Sequence, residues 1–255
     1  MTSKILVIPD TQIRPGDNLE FLNKIGRYIC EKQPDTVVCL GDFADMPSLS
    51  SYDVGKKSFE GRRYINDVES AREGMAALLS PLQEFNEAAS RNHKQRYRPR
   101  LVLTLGNHED RINRAVNNDA KLEGVLSIND LEYEKWGWEV YPYQHVVVID
   151  GVAFSHNFPT DASTTTIATP ATLLTRRHMS CVAGHRQGFQ THTAYRADGR
   201  RLQAVIAGSC YEHDEDYMSQ MQNRHWRGIL VMHEVQDGEY DLMPVSLDFI
   251  NRRYG

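Results

Sequence analysis

The chain has 255 residues, 40% hydrophobic and 25% charged, with a formal net charge of −5. These values suit a globular protein with a sizeable core, and they argue against one that holds nucleic acid by bulk positive charge alone. No apolar run approaches the roughly 18 residues that a membrane span requires.

In chain order, Lys4-Ile-Leu-Val-Ile-Pro-Asp10 opens with a strand predicted over residues 4–9. A helix is predicted over 18–32, where Leu19, Leu22, Ile25, Ile29 and Cys30 fall near helical spacing. Thr36-Val-Val-Cys-Leu-Gly-Asp42 supplies a second strand, and the βαβ order predicts a parallel pair. A polar insertion follows over 46–63. Next comes a long helix over 65–88, expected to kink or divide at Pro81. Residues 91–100 form a basic connector with five positive charges, and Leu101-Val-Leu-Thr-Leu-Gly-Asn-His108 is a third strand with its loop.

The segment 108–134 has helical character without clear boundaries. From Trp138 onward the pattern turns to β, with strands over 139–143, 145–149 and 152–156 and a hairpin turn at Asp150-Gly151. Residues 160–168 read as a mobile polar loop, 170–178 as a short helix, and Cys181-Val-Ala-Gly-His185 as another strand and turn. Two hairpins complete the chain, turning at Asp198-Gly199 and Asp237-Gly238. The expected architecture is an α/β sandwich, with the four strand-end acidic or histidine-bearing loops gathered at one end of one sheet. We expect a single domain over 1–255, carrying the 46–63 insertion and the 91–100 connector.

The four cysteines (Cys30, Cys39, Cys181, Cys210) lack CxxC spacing and read as reduced thiols. Met1-Thr-Ser-Lys4 enters the first strand directly. We therefore expect no signal peptide and a cytoplasmic location.

The blocks Asp10-x-Gln12, Gly41-Asp-Phe-Ala-Asp45, Gly106-Asn-His-Glu109, His156 and Gly184-His-Arg-Gln187 follow one another in order across residues 10–187. This sequence of blocks resembles the calcineurin-like metallophosphoesterases, whose pattern is D-x-H, G-D-x-x-D, G-N-H-[DE], a lone His and G-H-x-H. The resemblance implies that family's fold, a β-sandwich of mixed sheets flanked by helices. It also implies two divalent ions bridged by Asp42. Asp10 and Gln12 would serve the first ion together with Gln187. Asn107, His156 and His185 would serve the second. His108, oriented by Asp45, would act as acid or electrostatic stabiliser toward the leaving group, and a hydroxide bridging the metals would be the nucleophile. Read singly, Asp42 and Asp45 also suit helix caps and His156 suits a core position.

Two departures stand out. Glutamine replaces the family's first and last histidines, at Gln12 and Gln187, and both fall on the same ion. Amide oxygens make a harder ligand set, favouring Mn²⁺ or Mg²⁺ over Zn²⁺ at that position; Mn²⁺ is the expected metal for the pair, with Mg²⁺, Fe or Zn²⁺ as alternatives. D-x-Q is similar to the manganese-dependent nucleotide diphosphatase branch, and His192 is a conceivable substitute ligand.

Arg186, Arg111 and Arg14 lie close in sequence to these blocks and are candidates for holding phosphate oxygens, with surface ion pairs as the alternative. The basic stretches, including Lys56, Lys57, Arg62, Arg63 and the interleaved Tyr97, favour a phosphodiesterase acting on DNA, RNA or nucleotides. The alternatives are a phosphomonoesterase or protein phosphatase, and a catalytically weak metal-binding relative. Against the protein phosphatase, Met46-Pro47 stands where Arg-Gly would follow G-D-x-x-D.

Overall fold

A computed structural model describes residues 2–160, 163–166, 169–214 and 225–255, with only the backbone at 160 and 163–166. Strand β1 (Ser3–Ile8), helix α1 (Glu20–Lys32), β2 (Thr36–Cys39), α2 (Tyr64–Arg91), β3 (Arg100–Thr104), α3 (Asp110–Asn118) and β4 (Glu139–Tyr141) form three successive parallel crossovers. The strand period of two sorts their side chains. Leu6, Ile8, Val37, Cys39, Leu101 and Leu103 face a core shared with α1 and α2, whereas Ile5, Val7, Val38, Leu40 and Val102 face the opposite way.

That opposite face is covered by a second sheet. It comprises β5 (Val147–Ile149), β6 (Val152–Ser155), β9 (Cys181–Ala183), β10 (Gln190–Tyr195) and β11 (Arg201–Ile206), in the order β10-β11-β9-β6-β5. Val147, Ile149, Val152, Phe154, Val182 and Val205 meet the first sheet in a second buried cluster. Helix α4 (Pro170–Arg177) covers the outer face through Leu173 and Leu174. The hairpin of β12 (Gly228–Gln236) and β13 (Glu239–Ser246) extends the first sheet to β13-β12-β1-β2-β3-β4, with β12 antiparallel to β1. The result is helix, mixed sheet, mixed sheet, helix, as the resemblance implied. No helix among the described residues is long and apolar enough to cross a membrane.

Several expectations are corrected. The strand-end loops do not share one sheet. Three leave β1, β2 and β3, while the loop carrying His185 leaves β9 in the second sheet. They converge because the two sheets pack face to face with those strand ends at the same edge. Helix α2 runs unbroken through Pro81 rather than dividing. The proline ring packs against Gly26 of α1, and Ser80 Oγ donates to the Ala77 carbonyl, the oxygen that Pro81 leaves without its helical partner. Within the 160–168 segment, β7 (Pro159–Thr160) and β8 (Ser163–Thr166) pair as an antiparallel hairpin, and the remainder lies outside the described residues.

A C-terminal helix, α5 (Leu247–Tyr254), was not anticipated. Ser246 caps it, and Leu247 and Ile250 bury its inner face. All four cysteines are free thiols.

In the basic connector 91–100, Tyr97 and Arg100 have structural partners. The connector precedes β3, at the end of the sheet opposite the ligand loops. Tyr97 is half-buried there, donating its hydroxyl to the Pro34 carbonyl at 2.5 Å and packing edge-on against Phe85. Arg100 pairs with Glu139. Tyr97 and Arg100 therefore brace the far end of the fold.

Candidate metal centre

The loops after β1 and β2 are zipped together. Gln12 N–H donates to the Asp42 carbonyl at 2.8 Å, Ile13 N–H to Phe43 at 2.8 Å, and Asp45 N–H to Ile13 at 3.0 Å. Cys210 N–H, after β11, reaches the Asp10 carbonyl at 2.8 Å. This lattice holds Gln12, Asp42 and His185 in the left-handed region, at φ of 45°, 46° and 66°. Non-glycine residues adopt it at a cost of order 1–3 kcal/mol each, and such strain clusters at working sites. Two glycines admit the close approaches involved. A Cβ on Gly106 would lie 2.0 Å from Asp42 Oδ1, and one on Gly184 would lie 2.7 Å from Asp10 Oδ1.

Asp42, His156 and His185 present ligand atoms all within 4.8 Å of one another. Asn107 Oδ1 sits 3.0 Å from His156 Nε2 and 2.7 Å from His185 Nδ1. Asp42 Oδ2 is 3.3 Å from His156 Nε2, and Asp42 Oδ1 accepts the His108 backbone N–H at 2.9 Å. Asp10 joins the group from the other side. Its Oδ1 accepts the His185 N–H at 3.1 Å and lies 3.9 Å from His156 Nδ1. Five of the residues assigned to metals, Asp10, Asp42, Asn107, His156 and His185, therefore meet.

The chemistry of this group fits a cation. His156 Nδ1 lies 2.8 Å from the Leu40 carbonyl, which can only accept, so that nitrogen carries the ring proton. Burial pushes the imidazole pKa down to about 4, against the pull of Asp42, so Nε2 is a bare lone pair. That lone pair faces the Asn107 amide oxygen and the Asp42 carboxylate, an arrangement that repels unless a positive charge lies between. Two further buried oxygens, Asp10 Oδ2 and Gln12 Oε1, have no hydrogen-bond partner among the described residues. Burial first, and then Asp42's charge, raises the Asp10 pKa well above its ordinary range. Burial also opposes charge on Asp42, yet the His108 imidazole and backbone N–H hold its pKa low.

Gln12 is buried beside Asp42 through its backbone. Gln187 is half-buried, two residues past His185. His192 is exposed on the outermost strand β10.

His108 occupies the outer side of the group. Its Nδ1 is 2.6 Å from Asp45 Oδ1, and its Nε2 is 3.7 Å from Asp42 Oδ2. Burial works against protonation, but Asp42 and Asp45 outweigh it and raise the imidazole pKa. Asp45 is itself clamped by Arg14 Nε at 2.7 Å and by Arg111, which donates to its backbone carbonyl at 2.7 Å and approaches His108 Nε2 at 3.2 Å. Arg14 and Arg111 line a cavity of about 1050 Å³ that His108, Asn107 and His185 also border. Arg186 is exposed and is not part of that lining.

Glu109, the last residue of the Gly106-Asn-His-Glu109 block, ties the ligand loops together. Fully buried, it accepts backbone N–H groups from Asp42 and Ala44 at 3.0 Å and from Gly106 at 2.9 Å. One carboxylate thus fixes two ligand loops at once. Only an acid, with acceptors alone, satisfies three donors, which is a legible reason for the [DE] of the motif. Burial and Asp42's charge raise its pKa. The polar 46–63 insertion is pegged down by Arg62. Arg62 donates to the Ser58 and Pro47 carbonyls and pairs with Asp53 at 2.9 Å.

Comparison with known proteins agrees with this geometry. The sequence profile described as calcineurin-like phosphoesterase matches residues 3–224. The chain belongs to that family, whose members are metal-dependent hydrolases of phosphate esters. Among similar proteins, the Gene 54 protein of Mycobacterium phage L5 is 28% identical over 201 residues, covering 76% of this chain and 73% of the relative. The Gene 54 protein of Mycobacterium phage D29 is 28% identical over 203 residues with the same coverage.

Proposed function

We propose that the chain is a phosphodiesterase cleaving nucleic acid or nucleotides with two divalent ions, manganese foremost, held on either side of Asp42. The observation that carries this reading is the uncompensated convergence of His156 Nε2, Asn107 Oδ1 and the Asp42 carboxylate, beside buried, unpartnered oxygens of Asp10 and Gln12. Asp10, Gln12, Asp42 and Gln187 would hold one ion, and Asp42, Asn107, His156 and His185 the other. When bound, such ions supply Lewis acidity toward the phosphoryl group and an activated water.

The chain's own residues account for the rest. Arg14 and Arg111 face the cavity beside His108 and orient phosphate oxygens by charge and fork geometry. His108 protonates the departing oxygen, with Asp45 fixing its tautomer through Nδ1 and supporting the imidazolium. Glu109 keeps the two ligand loops in register and exchanges no proton with substrate. A cavity of about 1050 Å³ exceeds what a phosphoryl head group needs and suits an ester with substituents on both sides.

The test is turnover of bis(p-nitrophenyl) phosphate, p-nitrophenyl phosphate and single- and double-stranded DNA with Mn²⁺, repeated with Asp42→Asn and His108→Ala. Diester hydrolysis lost in both variants supports the proposal. Hydrolysis of the monoester alone refutes the diesterase, and no turnover with any divalent metal marks a metal-binding relative without activity.

A further inference from the structure

The cavity wall facing the ligand group is built from the 46–63 insertion, and its composition says more than "basic". Tyr52, at its rim, is 80% exposed. Among the described residues its hydroxyl makes no hydrogen bond and its ring touches no other ring, so the ring face is open to the cavity. Lys56 and Arg63 line the same wall. Lys56 leans on Asp53 at 2.8 Å, while Arg63 donates only to the Arg62 carbonyl and pairs with no carboxylate among the described residues. Arg62 fixes the loop to Pro47, directly beyond Asp45 and Met46, so the wall keeps a set position relative to His108.

An open aromatic face beside two cations, across a cavity from a phosphate-cleaving group, is the combination that holds single-stranded nucleic acid. A base stacks on the ring while the cations follow the backbone. Paired duplex cannot offer a base face to such a wall, and a simple phosphate ester has none. Resting on the phosphodiesterase reading above, we infer that Tyr52 is a stacking platform for an unpaired base next to the scissile phosphate. Lys56 and Arg63 then contact the neighbouring phosphate, so that the preferred substrate is a single strand or a frayed end.

The test compares wild type, Tyr52→Ala, Tyr52→Trp and Arg63→Gln on an eight-nucleotide oligothymidylate, its ribo counterpart, a blunt duplex and bis(p-nitrophenyl) phosphate with Mn²⁺. In parallel, fluorescence anisotropy follows binding of the labelled oligothymidylate in EDTA. Stacking values predict that Tyr52→Ala lowers the ratio of kcat/KM for oligothymidylate over bis(p-nitrophenyl) phosphate by about 5- to 150-fold. The anisotropy Kd should rise by a similar factor, and Tyr52→Trp should restore both. Arg63→Gln should weaken binding and flatten its salt dependence. Equal loss on the two substrates, an unchanged Kd, or a blunt duplex with the same dependence on Tyr52 overturns the inference. Should the wild type hydrolyse no diester at all, the phosphodiesterase reading fails, and the anisotropy series still decides whether Tyr52 holds a single strand.

Discussion

Replacing Asp45 by asparagine isolates the proton-donating half of the site. The carboxylate lies 2.6 Å from His108 Nδ1, and its charge is one of the two that raise the imidazole pKa against burial. Asparagine keeps an acceptor for Nδ1–H but removes the charge, leaving Arg14 and Arg111 around a neutral amide. A positioned proton donor contributes about 10²- to 10⁴-fold to proton-dependent bond cleavage, or about 3–5 kcal/mol of barrier. Asp45→Asn should therefore lower kcat on an oligonucleotide, whose alkoxide leaves poorly without a proton, by at least about 100-fold. On bis(p-nitrophenyl) phosphate, whose phenolate leaves unaided, the loss should stay under about 10-fold.

The pH profile carries the sign. The active form is the imidazolium, so rate falls as pH rises through the His108 pKa. Losing the Asp45 charge lowers that pKa, and the falling limb should move to lower pH by about one unit or more, where a unit corresponds to about 1.4 kcal/mol. Steady-state kinetics over pH 5–9 with both substrates is the assay. Parallel losses on the two leaving groups, with an unmoved alkaline limb, refute the proton-donor role.

Gly106→Ala places a methyl 2.0 Å from Asp42 Oδ1, so the carboxylate must shift; we predict at least about a 10-fold loss of Mn²⁺ affinity by calorimetry. Glu109→Ala strands three buried N–H donors and should destabilise the fold by more than about 3 kcal/mol in urea unfolding. His156, fully buried with its pKa lowered to about 4, is bound to fewer protons folded than unfolded between pH 4 and 6.5. Its contribution is complete above about pH 6.5 and is lost as pH falls, amounting to about 2 kcal/mol between pH 7.5 and 5 in chelated protein. His156→Gln should flatten that part of the pH dependence of the urea midpoint, which is read directly against wild type.

What the sequence made legible was local. Continuous apolar runs in β1 to β3 told which elements would be sheet, and the motif blocks marked the loops at their ends, because a ligand loop must follow its strand whatever the neighbouring topology. The second sheet was harder to see. His185 and Asp42 sit on loops from different sheets, and nothing in either block records that the sheets face one another. At Pro81 the expected division does not occur, because burial against α1 and the Ser80 hydroxyl compensate in three dimensions for the helical hydrogen bond the proline removes. The connector 91–100 could be read by charge count as a solvated loop or a phosphate surface, and its sequence does not show that Tyr97 and Arg100 are held by Pro34 and Glu139. Tyr52 drew no attention, since an exposed ring has no periodic signature. Glu109 could have been found: an acid directly after Gly-Asn-His at the start of a helix has few other uses than satisfying backbone donors.

The central claim is that Asp42 is shared by two cations. Anomalous difference maps from crystals soaked in Mn²⁺ test it most directly. Two peaks about 3.5–4 Å apart are expected astride the Asp42 carboxylate, one toward Asp10 and Gln12 and one toward Asn107, His156 and His185. No peak beside that carboxylate, or only one under saturating metal, would contradict it.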